Sequence, residues 1–370
     1  MNTFQKTSNK AKIIAFYLPQ FYPFKENDEW WGKGYTEWTS VARARKIFPG
    51  HEQPKLQGEL GFYDLRFSVT REAQAELARK HGVDGFCYYY YRMTRGVNLM
   101  DSVLKDVLVS KQPDFPFMLC WANHSWMAKS WNNRDKSSVS KLLMEQKYGD
   151  VDDICDYFYE ILPYFQDDRY IKEDNCPVFV IYRPLDIPNV ELYIDIWDKL
   201  AKENGFKGIK ILAYTEESKS DIDKLKKKGF NFIISCRMYA IMHNHNQFWR
   251  YVNAGVRRIF KLPKILKYKN VIKEMVSEET MQEDIIPTIM PNWDHSPRSG
   301  RYGLIWIKST PELFKKHIQM VFERISNKEN KWIFVKSWNE WGEGNYLEPD
   351  RKWQDKYLKV LRDTRNEMNI

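Results

Sequence analysis

The chain alternates short apolar segments with amphipathic helical segments, and this alternation constrains its fold more than any other feature. The short segments are apolar throughout, which is typical of parallel strands buried on both faces, whereas the intervening segments space their apolar residues at helical intervals. Eight such strands are predicted, at 11–17, 83–90, 117–121, 177–182, 209–214, 232–235, 285–290 and 333–335. No glycine-rich turn follows the first strand to mark a dinucleotide crevice, so the α/β pattern predicts a (β/α)8 TIM barrel and not an open doubly wound sheet.

We expect residues 1–370 to form one such domain, because α/β barrels with elaborated βα loops reach this length. One long irregular excursion follows the first strand, and a second one, basic and predicted to be helical, occupies about 237–284. Capping residues predict where two of the helices begin. Thr70 is expected to cap a helix over 70–81, and Thr310 is expected to cap a helix that has Pro311 in its first turn.

Composition and charge narrow the classes of function. The net charge of +9 admits nucleic acid, anionic lipid or an anionic substrate such as a nucleotide sugar as a partner. Nucleic acid is not expected, because the chain has no Walker loop, RNP motif, helix-turn-helix signature or basic low-complexity tail. His243 and His245 lack the acidic or cysteine neighbours that would complete a metal site, so neither a metal nor a cofactor is predicted.

Cysteine spacing and the N-terminal region predict the compartment. The five cysteines show no C-x-x-C spacing, and the apolar run at 13–18 is too short for a signal-peptide core or a membrane span. We therefore expect a reduced, cytoplasmic protein. The segment that starts at Arg250 and ends at Lys273 contains eight basic residues and no acid, interleaved with aromatic and aliphatic residues. It is either a solvated helical face or a peripheral contact with an anionic inner membrane.

The predicted eighth strand runs directly into an acidic, aromatic loop with the sequence WNEWGEG at 338–344. In a (β/α)8 barrel this loop lies on the face that carries active sites. Glu340 and Glu343 are the predicted catalytic residues, because making or breaking a glycosidic bond usually takes two carboxyl groups that flank the bond. A solvated pair of acids is the alternative. Trp338 and Trp341 suit either the core or the face of a sugar ring.

The other loops predicted on that face are rich in aromatic, amide and charged residues, a mixture that suits sugar rings and hydroxyl groups. The predicted substrate-binding residues are Tyr17, Gln20, Glu37, Trp38, Asn123, His124, Trp126, Arg183, Tyr214, Glu216, Tyr239, Asn292, Trp293, Asp294, Arg298, Asn339 and Trp341. Two simpler interpretations stay open. His124, beside an asparagine, is also typical of a structural histidine, and Asp294 and Arg298 have the spacing to pair with each other.

These motifs resemble the WbsX-like proteins of bacterial surface-polysaccharide gene clusters, whose barrel is similar to glycoside hydrolase family 99, the endo-α-mannosidases. The resemblance covers most of the chain and rests on IAFYLPQ at 14–20, YTEWT at 35–39, YDLR at 63–66, GFCYY at 85–89, CWAN at 120–123, DRY at 168–170, WNEWGEG at 338–344 and LEPD at 347–350. The chain departs from the WbsX pattern at His124, where the family tends to carry an acid, and at Tyr90, where it tends to carry a histidine.

The family 99 resemblance implies a division of roles between the glutamates. Glu340 would act as a base on the sugar's own 2-hydroxyl and Glu343 as acid/base at the glycosidic oxygen, through a 1,2-anhydro sugar. That chemistry favours α-mannose- or α-rhamnose-configured sugars, because the 2-hydroxyl has to lie trans to the leaving group.

The WbsX resemblance implies an oligosaccharide or lipid-linked glycan as the substrate, with a nucleotide sugar if the reaction is transfer, in surface polysaccharide or O-antigen biosynthesis. Whether the reaction is transfer or hydrolysis stays open. A trimming endo-glycosidase and a non-catalytic glycan-binding or scaffold protein of an assembly complex are the alternatives.

Overall fold

The computed structural model describes residues 10–128, 141–216, 219–240 and 262–369. Its central sheet is a closed parallel barrel, since each strand pairs with the next in the chain and the last pairs with the first. The strands are β1 Lys12–Tyr17, β2 Gly85–Thr94, β3 Phe117–Trp121, β4 Cys176–Ile181, β5 Lys210–Thr215, β6 Phe232–Ser235, β7 Ile285–Ile289 and β8 Trp332–Val335. The predicted (β/α)8 barrel is confirmed.

Helices lie between the strands and in the βα loops. In the described part of the chain the α-helices are α1 Lys25–Trp31, α2 Glu37–Arg43, α3 Ser68–Lys80, α4 Ser102–Ser110, α5 Val151–Phe165, α6 Val190–Glu203, α7 Lys219–Lys227, α8 Tyr268–Met275, α9 Ser296–Ser299, α10 Pro311–Ile325 and α11 Lys356–Glu367. Short 3-10 helices occur at Pro184–Asp186, Glu278–Met281, Gly300–Tyr302 and Trp341–Glu343.

Short strands outside the barrel decorate its loops. Val97–Leu99 extends β2 and Lys172–Glu173 pairs with β4, both antiparallel. The other pairs join Trp126–Ala128 to Lys141–Met144, Lys264–Lys267 to Leu304–Ile307, and Asn339–Glu340 to Asn345–Tyr346. The last two pairs matter for function, because they brace the loops that follow β7 and β8.

The centre of the barrel is filled by aromatic rings from separate strands. The ring of Phe16 lies 5.4 Å from that of Tyr89, 5.5 Å from that of Tyr214 and 5.1 Å from that of Phe334. Successive side chains of a strand point to opposite faces, so Tyr17 points outwards. Its hydroxyl donates to Gln74 Oε1 of α3 at 2.6 Å. The structure therefore places Tyr17 between the barrel and α3, away from the predicted binding face.

Two predicted helix starts have different outcomes. Helix α10 begins as predicted, with Thr310 Oγ1 accepting the N–H of Leu313 at 3.3 Å. Helix α3 begins at Ser68 instead, after Phe67 at the N-cap position, so the prediction that Thr70 caps it is wrong. A β-region residue with no side-chain acceptor occupies that cap, which residue preferences alone do not predict.

The basic excursion predicted at 237–284 contains both strand and helix. Its described part holds the strand Lys264–Lys267, helix α8 and the short helix Glu278–Met281, while 241–261 lies outside the described residues. Tyr268, Val271 and Ile272 are buried in the core, so the apolar side chains of α8 face inwards and not towards a membrane. In the described ranges no helix has the length and hydrophobicity needed to cross a membrane.

Candidate active site

A cavity of about 430 Å³ opens where the barrel strands end, among the loops that follow them; we call it the mouth cavity. Eight of the predicted site residues line it. They are Glu340, Glu343, His124, Arg183, Glu216, Tyr239, Trp293 and Arg298. The structure thus brings together both predicted catalytic glutamates with residues from the loops after β3, β4, β5, β6 and β7.

The loop after β8 is tied to the end of β1 by Asn339. Its Oδ1 accepts the N–H of Leu18 at 2.7 Å, and its Nδ2 donates to the Leu18 carbonyl at 3.0 Å. Gly344 then turns the chain with a φ of 57°, where an added Cβ would lie 2.7 Å from the Cβ of Asp294. Asn339 therefore positions the glutamates and does not itself line the cavity.

Trp338 and Trp341 belong to the core, which decides between their two interpretations. Both are almost fully buried. Trp341 stacks on Tyr346 with ring centroids 3.7 Å apart, and its Nε1 donates to Glu348 Oε2 at 2.6 Å. These rings support the glutamate loop from below and present no face to a sugar.

Glu340 lines the mouth cavity and is almost fully buried. Only 5% of the residue is exposed, and its Oε2 has no hydrogen-bond partner among the described residues. The nearest cation is Lys336, whose Nζ lies 3.6 Å from that oxygen. Burial raises the pKa of Glu340 to about 7, although the charge of Lys336 acts in the opposite direction.

Glu343 has a different environment three residues later. Arg298 Nη1 donates to its Oε1 at 2.6 Å, and His295 Nε2 lies 3.5 Å from the same oxygen. Burial alone would raise the pKa of Glu343, but the charge of Arg298 and the hydrogen bond from His295 outweigh it. The pKa of Glu343 therefore lies well below its usual range.

Arg298 is held by a second buried carboxylate. Its Nη2 donates to Glu37 Oε1 at 2.7 Å, and the same oxygen accepts the N–H of Gly342 at 2.7 Å. Glu37 is thus a positioning residue behind the cavity. The alternative that Asp294 pairs with Arg298 is wrong, because the carboxylate of Asp294 bonds to other partners and Arg298 is engaged by two glutamates.

Lys336 is a buried cation beside Glu340. It is not among the residues predicted from the sequence. Its Nζ donates to the hydroxyl of Tyr89 at 3.1 Å and to that of Tyr182 at 3.5 Å. Burial alone would lower the pKa of Lys336, but Glu340 and other nearby carboxylates raise it above its usual value. A lysine directly after the apolar strand segment IFV was the available sequence signal.

Tyrosine rings form one wall of the mouth cavity. Tyr182 stacks on Tyr214 with centroids 4.5 Å apart, and both hydroxyls donate to Glu216 Oε1, at 2.9 and 3.2 Å. Tyr91 contributes a further ring beside His124. Burial lowers the pKa of His124 to about 4, so this histidine is neutral near pH 7.

The remaining predicted binding residues do not line the mouth cavity. These are Tyr17, Gln20, Glu37, Trp38, Asn123, Trp126, Tyr214, Asn292, Asp294, Asn339 and Trp341. Several act through a lining residue. Asn123, for example, accepts the N–H of Arg183 and donates to its carbonyl. Such supports are expected around a site, because buried polar groups must find partners.

The lining also contains residues that the prediction missed. The charged and aromatic ones are Tyr89, Tyr91, Tyr182, His295, Tyr302 and Lys336. Tyr89 and Tyr91 are two apart on β2 and share one face, a period-two signal that was available in the run of four tyrosines.

Two adjacent carboxyl groups with opposite pKa shifts can serve as a proton donor and a proton acceptor within one cavity. In the described residues no cluster of three or more histidine, cysteine, aspartate or glutamate side chains has metal-binding geometry. His243 and His245 lie outside those residues. The carboxyl groups of the cavity offer proton transfer beside aromatic rings.

A family model described as Glycosyltransferase WbsX matches residues 13–361. Two curated relatives, each called "Uncharacterized protein WxcX" and from two strains of Xanthomonas campestris pv. campestris, are 30% identical over 357 residues. The match covers 95% of this chain and 49% of each relative, so the chain spans about half the length of the curated relatives it matches.

Solved structures with a similar fold include a "Glycoside hydrolase-like protein", with a TM-score of 0.62 and 14% identity over 98% of this chain and 96% of that chain. The GH99 endo-alpha-mannosidase from Bacteroides thetaiotaomicron has a TM-score of 0.55 and 13% identity over 96% of this chain and 97% of that chain. At such low identity these likenesses show the shared barrel fold.

Proposed function

Because the chain belongs to the glycosyltransferase WbsX family of carbohydrate-active proteins, we propose that it is an enzyme that forms or cleaves an α-linked sugar bond in the mouth cavity. The observation that carries the proposal is the glutamate pair. Glu340 and Glu343 line one cavity, and their surroundings shift their pKa values in opposite directions. Such a split keeps two carboxyl groups of one cavity in different protonation states, as acid–base chemistry requires, and the division of roles between them follows the resemblance to family 99.

Glu340 suits the role of base. A general base works best when its pKa lies near the working pH, and burial brings the pKa of Glu340 to about 7. Its Oε2 has no hydrogen-bond partner among the described residues and is therefore available to a substrate hydroxyl. We assign this oxygen the removal of a proton from the sugar's 2-hydroxyl, whose oxygen then attacks the anomeric carbon.

Glu343 is assigned the proton transfer to the glycosidic oxygen. The contact with Arg298 favours the ionised form of Glu343, so this role requires that contact to open when a substrate enters. If the contact with Arg298 opens only when a substrate binds, Glu343 can donate a proton only when the cavity is correctly occupied. The later return of the proton, from water or from an acceptor sugar, distinguishes hydrolysis from transfer.

The cavity wall supports a sugar ligand. Tyr182, Tyr239 and Trp293 supply ring faces, while Arg183 and Glu216 supply a donor and an acceptor for hydroxyl groups. We infer an α-mannose- or α-rhamnose-type sugar in a surface polysaccharide, carried as an oligosaccharide or a lipid-linked glycan, with a nucleotide sugar as donor if the reaction is transfer. A cytoplasmic location stays a prediction.

The test is product analysis with lipid-linked oligosaccharides, with and without sugar nucleotides, by mass spectrometry. We expect Glu340→Gln and Glu343→Gln each to lower turnover by about 10²–10⁴-fold, because each removes one proton-transfer group. Glu76→Gln on the exposed face of α3 is the matched control and should keep full activity. Full activity in either mouth-cavity variant would contradict the assignment.

A non-catalytic glycan-binding function is the second candidate. It is favoured by the contact between Arg298 and Glu343, which holds the carboxylate in a form that cannot donate a proton. Glycan binding by calorimetry without any product from oligosaccharides or sugar nucleotides would support it, and it would leave both glutamate variants able to bind.

A further inference from the structure

A second cavity, of about 770 Å³, shares a wall with the mouth cavity. The wall is the extended segment after β7, which pairs with the strand Leu304–Ile307 through a bridge between Asp294 and Ile305. Side chains of extended backbone alternate between two faces. Trp293 and His295 accordingly line the mouth cavity, whereas Asn292 and Asp294 line the second one.

The buried side of the second cavity is a satisfied polar network. His51 Nδ1 accepts the N–H of Ile47, so its Nε2 carries the proton and donates to Asp294 Oδ2 at 2.9 Å. Gln53 Nε2 donates to the same oxygen at 2.7 Å. Lys55 Nζ donates to Asn292 Oδ1 at 2.7 Å. The carboxylate of Asp294 therefore already has hydrogen-bond donors within the protein.

The cations that line this cavity outnumber its carboxylates. Five are present, Lys46, Lys55, Lys308, Arg351 and Lys352, against Glu52, Asp294 and Asp350. Each of the three carboxylates already has partners: Glu52 pairs with Lys352, Asp294 bonds to His51 and Gln53, and Asp350 bonds to Tyr346 and Trp353.

Three of the cations have no carboxylate partner among the described residues: Lys46, Lys308 and Arg351, all of them exposed at the rim. Uncompensated cations around a concave site raise the local concentration of anions. The rim is therefore electrostatically suited to a negatively charged group.

Two unsatisfied donors belong to residues that line the same cavity. Trp306 is 4% exposed and its Nε1 has no hydrogen-bond partner in the described residues; Ser309 is half-buried, and its Oγ also has no partner there. Buried donors normally find an acceptor. A ligand that carries negatively charged oxygens would compensate the free cations at the rim.

We propose that the second cavity is a binding site for an anionic group, a phosphate or a sugar carboxylate, carried by a molecule that contacts the aromatic surface of Trp353. The site is separate from the proposed sugar chemistry, because it needs neither Glu340 nor Glu343. The backbone N–H of Asp294 donates to the carbonyl of Glu343 at 2.7 Å, which joins the second cavity to the glutamate loop.

Binding is measured by titration calorimetry on the full chain with two probes, inorganic pyrophosphate and a trigalacturonate. We expect at least one probe to bind, and Lys308→Glu combined with Arg351→Glu to weaken that binding by about tenfold or more, because each charge-assisted contact contributes on this scale. Pyrophosphate alone would identify phosphate as the source, and trigalacturonate alone would identify an acidic sugar. Single Lys308→Met and Arg351→Met variants cover the case in which the double variant does not fold.

Two charge-reversal controls locate the binding. Lys80→Glu, on the exposed end of α3, should leave the affinity unchanged. Arg183→Glu changes the charge of the mouth cavity and should leave pyrophosphate binding unchanged as well. The proposal is overturned if neither probe binds, if the rim variants bind as tightly as the unaltered protein, or if only Arg183→Glu abolishes binding. Each result is independent of whether the enzyme turns over a glycan.

Discussion

Glu340 and Glu343 lie three residues apart in one loop; Glu340 is buried and Glu343 is partly buried, and the charged groups around them differ. Around Glu340 burial dominates, with one cation 3.6 Å from an oxygen that lacks hydrogen bonds, and the pKa rises to about 7. Around Glu343 a direct arginine contact at 2.6 Å dominates, and the pKa falls. The comparison teaches that the partner and its distance, and not burial alone, decide which glutamate holds a proton.

Replacing Arg298 is expected to have the largest effect on the difference in pKa between Glu340 and Glu343. Arg298→Met leaves the carboxylates of Glu343 and Glu37 without their shared cation, and losing one member of a buried ion pair costs about 3–5 kcal/mol. We expect a loss of unfolding free energy of that order at pH 7, measured by urea denaturation. The contact with Arg298 lowers the pKa of Glu343 in the folded state, so it stabilises the fold above the unfolded pKa of Glu343, and this stabilisation is lost as the pH falls. The loss of unfolding free energy in Arg298→Met should therefore be smaller towards pH 3.

Arg301→Met is the matched control for this experiment, since Arg301 is exposed in the same loop and has no ion pair among the described residues. It should unfold like the unaltered protein at both pH values. An Arg298→Met deficit that is the same at pH 3 as at pH 7 would show that the contact stabilises by packing and not by charge.

Glu340 predicts the opposite pH dependence. Its folded pKa of about 7 lies above the ordinary unfolded value, so the folded state binds more protons between these values, and this group makes stability fall as the pH rises from about 4.5 to 7. Glu340→Gln removes the titration. We take the free energy of unfolding of the variant minus that of the unaltered protein. We expect this difference to be about 2 kcal/mol larger at pH 8 than at pH 5.

Urea denaturation at both pH values measures this difference, and Glu76→Gln serves as the control. If Glu340→Gln shows the same relative stability at pH 5 and pH 8, then Glu340 has an ordinary pKa, and the contrast with Glu343 would disappear.

Replacing Lys336 tests the contrast between Glu340 and Glu343 through a smaller expected effect, a shift of the pH profile of activity. Lys336→Met removes the cation that favours ionised Glu340, so the pKa of Glu340 should rise further. If Glu340 is the base, activity increases with pH through its pKa, and the acidic limb of the profile of kcat/KM should move up by about one pH unit. Lys316→Met on exposed α10 should leave the profile in place. A profile that does not move would remove Lys336 from the control of Glu340.

The strand order and the position of the glutamate loop were predictable because they depend on local patterns. Apolar runs such as 117–121 and 232–235 coincide with β3 and β6, since a parallel strand buried on both faces has an unmistakably continuous apolar sequence. Boundaries shifted where a cap had no side-chain signal, as at Phe67 before α3.

The division of the site residues into contacts and supports was less predictable. Glu37 and Asn123 were predicted to touch the substrate, but their side chains hold Arg298 and Arg183. Each partner is distant in the chain, and hydrogen bonds between distant segments leave no periodic signal in one sequence. Asn292 and Asp294 were likewise predicted to bind the substrate, but they line the second cavity. The segment that separates the two cavities is defined only by its pairing with Leu304–Ile307.

By itself the sequence determined the barrel, the loop that carries Glu340 and Glu343, and the aromatic character of the cavity, because these follow from periodicity and local composition. Only the tertiary structure decided that Arg298 contacts Glu343, that Lys336 lies beneath Glu340, and that Trp341 is a support. The physical reason is that charge interactions and desolvation depend on distances in space. The two glutamates are three positions apart in one loop, but an arginine 45 residues before Glu343 in the chain sets the protonation of Glu343.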